Sequence, residues 1–359
     1  MKFMNLYETI KNGTEVFSYP FKQLDDEDYY DCVFRIYKAY QSALELMDAS
    51  DISLLNESLK SLPDYGTIPL KREMNVINDS KEVWMMVTNS IRLLLSGRPA
   101  EAFEIVDKFF RADDGHFVRL FPVAVISGQL KLYRVRRSEC AEQKKLFHIP
   151  FEERYKVSSM RYSIPGYPML YMSGSLATAY TEIFPDKGLH EFTYARFSNK
   201  TDLYLWDMCF PDPDSSPFEF YRFFVFFPLF LACAIDVWHE NGAYKPEYAL
   251  PQLFTQFIKS FRYPLAPNGR LDGICYLPPV LENGASIDSL DVKNYAFVVD
   301  GASLPKGYDT HLAEKFLMTN PKRFGKKEFS NITNYLTNYL SNYIDRRDQS
   351  EILKDIDLK

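Results

Sequence analysis

The stretch Leu132–Ile183, LYRVRRSECAEQKKLFHIPFEERYKVSSMRYSIPGYPMLYMSGSLATAYTEI, decides how the chain folds. It opens with a strand-like alternation in which Leu130, Leu132 and Arg134 share one side and Tyr133 and Val135 the other. Both sides carry apolar groups, so Arg134 is expected to be at least partly buried. A buried guanidinium needs an anion or several acceptors. An internal salt bridge is the simpler partner, and an anionic ligand is the alternative. Arg136 and Arg137 read as surface charges. Arg161-Tyr162-Ser163 then leads into a turn at Pro165-Gly166, and Met169–Met172 reads as a buried strand. Ser173-Gly174-Ser175 ends that strand and can cap a helix whose core face is Leu176, Ala179, Tyr180 and Ile183. Glu182 falls on the flank of this helix, about 110° from the face centre at 3.6 residues per turn. A carboxylate at that border can look into a cleft, although many in such positions are merely solvated.

On the N-terminal side the spacing predicts helices. Asp25 and Asp26 are expected to cap one bearing Tyr30, Val33, Phe34, Tyr37, Tyr40 and Leu44, and Asp51 to open a shorter one. Asp79 and Ser80 are expected to start a third, with Val83, Trp84, Val87, Ile91, Leu94 and Leu95 on one stripe. Gly97 stops it, and Pro99 occupies the first turn of the next. One chemical motif lies here, Arg111-x4-His116, with the spacing of a helix-borne ribonuclease dyad. Its interval, Ala-Asp-Asp-Gly, favours a helix end instead. His148, in FHIPF, stands alone and is expected to be hydrogen-bonded in the core rather than to act as a metal ligand or a base.

Composition narrows the classes. The chain of 359 residues is 46% hydrophobic and 16% aromatic, with net charge -6 and pI about 5.6. That balance does not indicate a phosphate-tracking surface, so nucleic acid is not expected as a partner. Five scattered cysteines without a Cys-x-x-Cys pair suggest neither zinc nor a disulfide framework, and no metal is expected. The N-terminus MKFMNLYETI lacks the apolar core of a secretion signal. The apolar run from Phe223 to Ile235 has thirteen residues and contains Pro228, whereas a spanning helix needs about 20. It is expected in a core, and the protein is expected in the cytoplasm, off the membrane. Near the C-terminus, Ile332, Tyr335, Leu336, Tyr339, Leu340, Tyr343 and Ile344 have the spacing of one helix face.

The pieces LYRVR at 132–136, LFHIPFEER at 146–154, RYSIPGYPMLYMSGS at 161–175 and Glu182 together resemble the RES-domain family, known mainly as toxins of bacterial RES–Xre type toxin–antitoxin systems. PEYALPQLFTQFIK at 246–259, LDGICY at 271–276 and KNYAFV at 293–298 continue the resemblance in order, over about 120 to 300. It implies an α+β fold, similar to ADP-ribosyltransferases, over 119–310. A helical bundle domain over 1–118 would precede it, and a helical C-terminal extension over 311–359 would follow. It implies an enzyme cleaving the nicotinamide–ribose bond of NAD, as glycohydrolase or phosphorylase. The alternatives are an ADP-ribosyltransferase acting on a protein, or an inactive RES scaffold. Carried over, Glu182, Arg134 and Arg161 are the implied catalytic residues, and Arg134, Arg161, Tyr171 and Asn294 the residues that bind NAD, the substrate. Asp272 and Gly273 are expected near the same cleft. The family usually has Ser two residues after the tyrosine of LDGICY, where this chain has Pro278. A proteinaceous antitoxin is the implied partner, and a homo-oligomer is left open.

Overall fold

The computed structural model describes residues 3–13, 16–17, 19–58, 73–112, 115–186, 189–264, 266, 268–278, 292–300, 306–325 and 352–358. The chain divides into two compact units, Met1–Pro122 with Met208–Leu271, and Val123–Asp207 with Asp272–Lys359. This partition differs from the expected boundaries, because 208–271 clusters with the N-terminal helices rather than with the strands.

The first unit is helical: α1 (Phe3–Asn12), α2 (Tyr29–Glu45), α3 (Ala49–Glu57), α4 (Val76–Leu95), α5 (Pro99–Phe110) and α6 (His116–Leu120), joined by two helices of the later segment, Pro217–Ala234 and Ala249–Ser260. Three helices begin at other caps than expected. Asp28, Asp48 and Asn75 accept from backbone N–H groups of the first turns of α2, α3 and α4. Asp26 instead takes a left-handed turn conformation, and Asp51 and Asp79 become buried first-turn residues. Gly97 (φ 72°) follows α4, and Pro99 opens α5, as expected.

Helix Pro217–Ala234 is the core of this unit. It is longer than the apolar run because Ser216 caps it at Glu219 N–H and Pro217 occupies its first turn. By length and composition it could cross a membrane, but its window is 83% buried inside the protein, as befits a core helix. Pro228 in its middle cannot donate to the Phe224 carbonyl, and the buried Tyr40 hydroxyl donates to that oxygen instead. Tyr29 does the same for the Ala232 carbonyl near the helix end, at 2.8 Å.

The second unit is built on a ten-stranded sheet with short helices against it, the first of them α7 (Gln143–Leu146). Its strands are β1 (Val123–Ile126), β2 (Lys131–Arg136), β3 (Met169–Ser173), β4 (Phe192–Asn199), β5 (Leu203–Met208), β6 (Gly273–Tyr276), β7 (Asn294–Val298), β8 (Phe316–Met318), β9 (Lys322–Phe324) and β10 (Lys354–Asp355). The spatial order is β1-β5-β6-β7-β3-β2-β4-β8-β10, and β9 also pairs with β4. After Glu182's helix α8 (Leu176–Ile183), the remaining helix of this unit's C-terminal part is Thr310–Glu314. Over 311–359 the described residues therefore include strands as well as a helix. The helix face expected over Ile332 to Ile344 lies outside the described residues.

Registers put Arg196, Tyr133, Ser173, Asn294 and Tyr276 side by side in one row across β4, β2, β3, β7 and β6. Directly opposed residues share a face of a sheet. Helix α8 covers this face, packing Leu176, Ala177, Ala179, Tyr180 and Phe184 on Tyr133, Val135, Phe192 and Tyr194. Ser175 caps it, accepting from Thr178 N–H at 3.0 Å, as the sequence predicts. Gly273 is needed where β6 meets β7. A Cβ there would lie 2.4 Å from the Ala296 carbonyl oxygen, a backbone atom that cannot step aside cheaply.

Candidate active site

The row on the helix-covered face supplies the floor of the site, and α8 sets Glu182 over it. Asn294 Nδ2 donates to Glu182 Oε1 at 3.0 Å, and Ser173 Oγ donates to Asn294 Oδ1 at 2.6 Å. Asn294 is 2% exposed and Ser173 5%. The amide has one arrangement that satisfies both neighbours, N–H toward the carboxylate and oxygen toward the hydroxyl. A buried relay thus fixes the Glu182 carboxylate, which solvent still reaches. Burial by the surrounding protein raises its pKa above the usual carboxylate range, while the Asn294 hydrogen bond and the nearby Arg161 charge pull it down.

Arg161 comes from the turn before β3 and lies electrostatically beside both Glu182 and Tyr276. Tyr276, packed against Tyr162 with ring centroids 4.8 Å apart, is buried, and that burial pushes its hydroxyl pKa well up. It therefore stays a neutral phenol. Ser163 Oγ and Tyr171 OH are hydrogen-bonded at 3.0 Å. Glu182, Asn294, Arg161 and Tyr171 are thus drawn into one neighbourhood, with Ser173 and Tyr276 as members the sequence reading did not single out.

Arg134 stands apart from that floor. Strand alternation turns it to the face opposite Tyr133 and Ser173, and its Nη1 donates to the Tyr171 carbonyl at 2.9 Å. It is 9% exposed, and among the described residues no carboxylate pairs with it, so the internal salt bridge that the strand suggested is absent. Burial, then the neighbouring Arg136 charge, lowers its pKa. Asp272 corrects a further expectation. Its carboxylate accepts from Tyr204 N–H at 2.8 Å and pairs with Lys315 at 2.6 Å, a structural tie. Gly273 opposes Phe297, three residues from the Tyr276–Asn294 pair, or about 10 Å along the strand. The C-terminal end of β6, rather than its start, meets the site.

His148 is hydrogen-bonded on both sides, donating from Nδ1 to the Ile149 carbonyl and accepting the Asp309 N–H at Nε2. Burial lowers its pKa to about 4, so it is a neutral structural imidazole. In the helical unit, His116 is 0% exposed and bound to Asp79 at 2.7 Å, while Arg111 pairs with Asp107 at the surface. The two are not a dyad facing solvent.

The raised pKa of Glu182 sets a measurable linkage. The folded state holds this proton more tightly than the unfolded chain, so folding loses stability as pH rises from about 4.3 through the raised folded value. Glu182→Gln removes that loss. Its melting temperature is expected to exceed wild type at pH 7, with the gap closing as pH falls toward the ordinary glutamate range. Identical pH profiles of melting for the two proteins would contradict the assignment.

Comparison with known proteins now bears on this geometry. Residues 131–278 match the family model of the RES domain. The chain is 26% identical over 286 residues to a Bacillus subtilis (strain 168) protein named "Putative toxin YopC", a match spanning 74% of this chain and 62% of that protein. No solved structure matches. The RES-domain span contains Arg134, Arg161, Tyr171, Ser173, Glu182 and Tyr276, while Asn294 lies beyond its end.

Proposed function

We propose that this chain, which carries a RES domain over 131–278, cleaves the nicotinamide–ribose bond of NAD and acts as a toxin restrained by a protein antitoxin. The observation that carries the reading is the Ser173–Asn294–Glu182 relay, with Arg161 beside the carboxylate it holds.

The chemistry asks for little more. Nicotinamide in NAD is already cationic and departs neutral, so no acid must protonate it. As it leaves, positive charge spreads over ribose C1 and the ring oxygen. A carboxylate held in place before the reaction stabilises that charge without reorganising at the moment of cleavage. Asn294 keeps the Glu182 oxygen oriented, and Ser173 keeps Asn294 from rotating. Arg161 supplies positive charge for the substrate's phosphates and favours the ionised form of Glu182. Tyr171 offers an aromatic surface for ribose or nicotinamide. The glycine-rich phosphate loop of hydride-transfer folds is not required, since those hold the dinucleotide differently.

The likeness to a protein named as a toxin supports the biological reading, and an NAD-consuming enzyme requires restraint in its host. The test is release of nicotinamide from NAD by the purified chain. In the same assay Arg161→Ala is expected to raise KM at least tenfold and also to slow turnover, because phosphate contacts form before the chemistry and persist through it. An Arg161→Ala enzyme with wild-type KM would remove that residue from the substrate site.

A further inference from the structure

Arg196 and Ser198 lie two residues apart on β4, and so on one face of the sheet, the face that carries Tyr133, Ser173 and Asn294. Arg196 is 9% exposed and Ser198 3%, yet Arg196 Nε and Ser198 Oγ are both enclosed without a hydrogen-bond partner. The main chain of Arg196 is satisfied, donating to Thr319 Oγ1 at 3.1 Å and accepting from Thr319 N–H at 2.9 Å. Its guanidinium is not. Among the described residues no carboxylate pairs with it, and its terminal nitrogens, unlike Nε, are not enclosed. A largely buried charge and a buried hydroxyl are costly unless something answers them.

The strand register brings a second cation to the same place. Tyr133 opposes Arg196 and Lys131 opposes Ser198. Lys131 is exposed, and among the described residues it too has no carboxylate partner. Lys131 and Arg196 are diagonal neighbours, about 7–8 Å apart across the strand pair. On the other side Leu317 of β8 opposes Ser198, and Asp355 of β10 opposes Leu317. Asp355, the acidic residue in that row, is taken up by Lys200 at 2.7 Å. The Ser173–Asn294–Glu182 relay lies elsewhere on this face. From Arg196 the row first crosses Tyr133, on which α8 packs, and reaches Ser173 two strands or about 10 Å away. Arg134 and Arg136, the latter half-buried rather than the surface charge its sequence suggests, stand on the opposite face and take no part.

We propose that Arg196, Ser198 and Lys131 form an accessory site for a phosphate dianion, separate from the site that holds Glu182. A planar guanidinium fork matches phosphoryl oxygens, Ser198 donates to one of them, and Lys131 adds a mobile charge at the rim. A phosphate group carries about 1.5 to 2 negative charges at pH 7, which two cations balance, whereas a carboxylate leaves one of them over. The anion is either free orthophosphate or the phosphomonoester of a nucleotide. The site does not depend on the NAD reading.

The experiment titrates the full chain with orthophosphate, AMP, acetate and ADP-ribose by calorimetry, and records the melting temperature with and without each. Wild type is expected to bind orthophosphate saturably, to melt higher with it, and to bind acetate at least tenfold more weakly. Arg196→Met, which keeps the apolar stem and removes the charge, is expected to lose at least about tenfold in phosphate affinity. Lys131→Ala is expected to lose about threefold. Lys108→Ala, which removes an exposed charge from the helical unit, binds as wild type does. Without phosphate, Arg196→Met is expected to melt at or above wild type, because the charge it removes has no partner in the described chain. A lower melt would mark a structural arginine and count against the site. AMP that displaces orthophosphate assigns the site to a phosphomonoester, and AMP that does not assigns it to the free anion. ADP-ribose is expected to leave phosphate binding unchanged, and displacement by it would return these residues to the substrate site and overturn the proposal. Wild type without saturable phosphate binding, acetate binding as tight as phosphate, or wild-type affinity in Arg196→Met overturns it as well. If Arg196→Met fails to fold, Ser198→Ala and Lys131→Ala carry the test, and wild-type affinity in both sinks the site. Phosphate binding by a chain that releases no nicotinamide leaves this site standing and removes the NAD reading instead.

Discussion

Glu182→Gln is expected to lower nicotinamide release from NAD by a hundredfold or more while leaving the protein folded. The substitution isolates charge. Glutamine keeps the shape of the side chain and an oxygen that can still accept from Asn294 Nδ2, now 3.0 Å from Glu182 Oε1. What disappears is the negative charge facing the ribose as it becomes cationic. Removing one preorganised electrostatic contact of this kind costs on the order of 3 kcal/mol in the barrier, about two decades in rate. Stability should not fall, because Glu182 projects from the flank of α8 and its ionised form is held in an environment that resists charge. The measurement is nicotinamide release alongside a thermal melt of each protein. Near-wild-type turnover in a folded Glu182→Gln enzyme would exclude this carboxylate from the chemistry. If wild type itself releases no nicotinamide, the scaffold alternative moves ahead, with Pro278 in place of the usual serine as its first suspect.

The parts of this site that could be read in advance are those with local signals. Ser175 caps α8 because a hydroxyl before an apolar helical run is a local device, and Gly166 takes φ 79° because the turn demands it. The meeting of Glu182 with Asn294, 112 residues away, has no local signal and came from the family resemblance. Ser173 was hidden by its neighbours, since Ser-Gly-Ser reads as a strand end. Its alternation with Tyr171 is the clue that would have placed both on one face. Arg136 was hidden by Arg137, because adjacent arginines look like a solvated pair until strand alternation separates them. Asp272 was misplaced for a metric reason, as three residues of strand separate the start of β6 from the Tyr276–Asn294 pair. The clustering of 208–271 with the helical unit was illegible too. An apolar helix such as Pro217–Ala234 announces that it will be buried, but not among which partners.

Asp79→Ala is expected to be the most damaging single truncation in the helical unit, at about 3–5 kcal/mol. Its Oδ2 accepts from His116 Nε2 at 2.7 Å and from the Tyr221 hydroxyl. Asp79 is 2% exposed, and His116 and Tyr221 are both 0% exposed. One oxygen thus serves two donors, from α6 and from the helix Pro217–Ala234, that water cannot reach. Truncation takes the shared acceptor from both, and a buried polar group that loses its partner costs about 1–3 kcal/mol, more when the partner is charged. Asp79→Asn keeps one oxygen and the shape, and is expected to cost about half as much. Arg111→Ala is expected to stay within about 0.5 kcal/mol of wild type, because its pair with Asp107 lies at the surface. Urea unfolding of the three variants, followed by far-ultraviolet circular dichroism, separates the outcomes. The ordering also decides what the Arg111-x4-His116 spacing means. A ribonuclease dyad requires both residues at the surface and neither in a structural network. A strongly destabilised Asp79→Ala beside a wild-type-like Arg111→Ala would show that His116 belongs to the core, and equal tolerance of both would reopen the dyad.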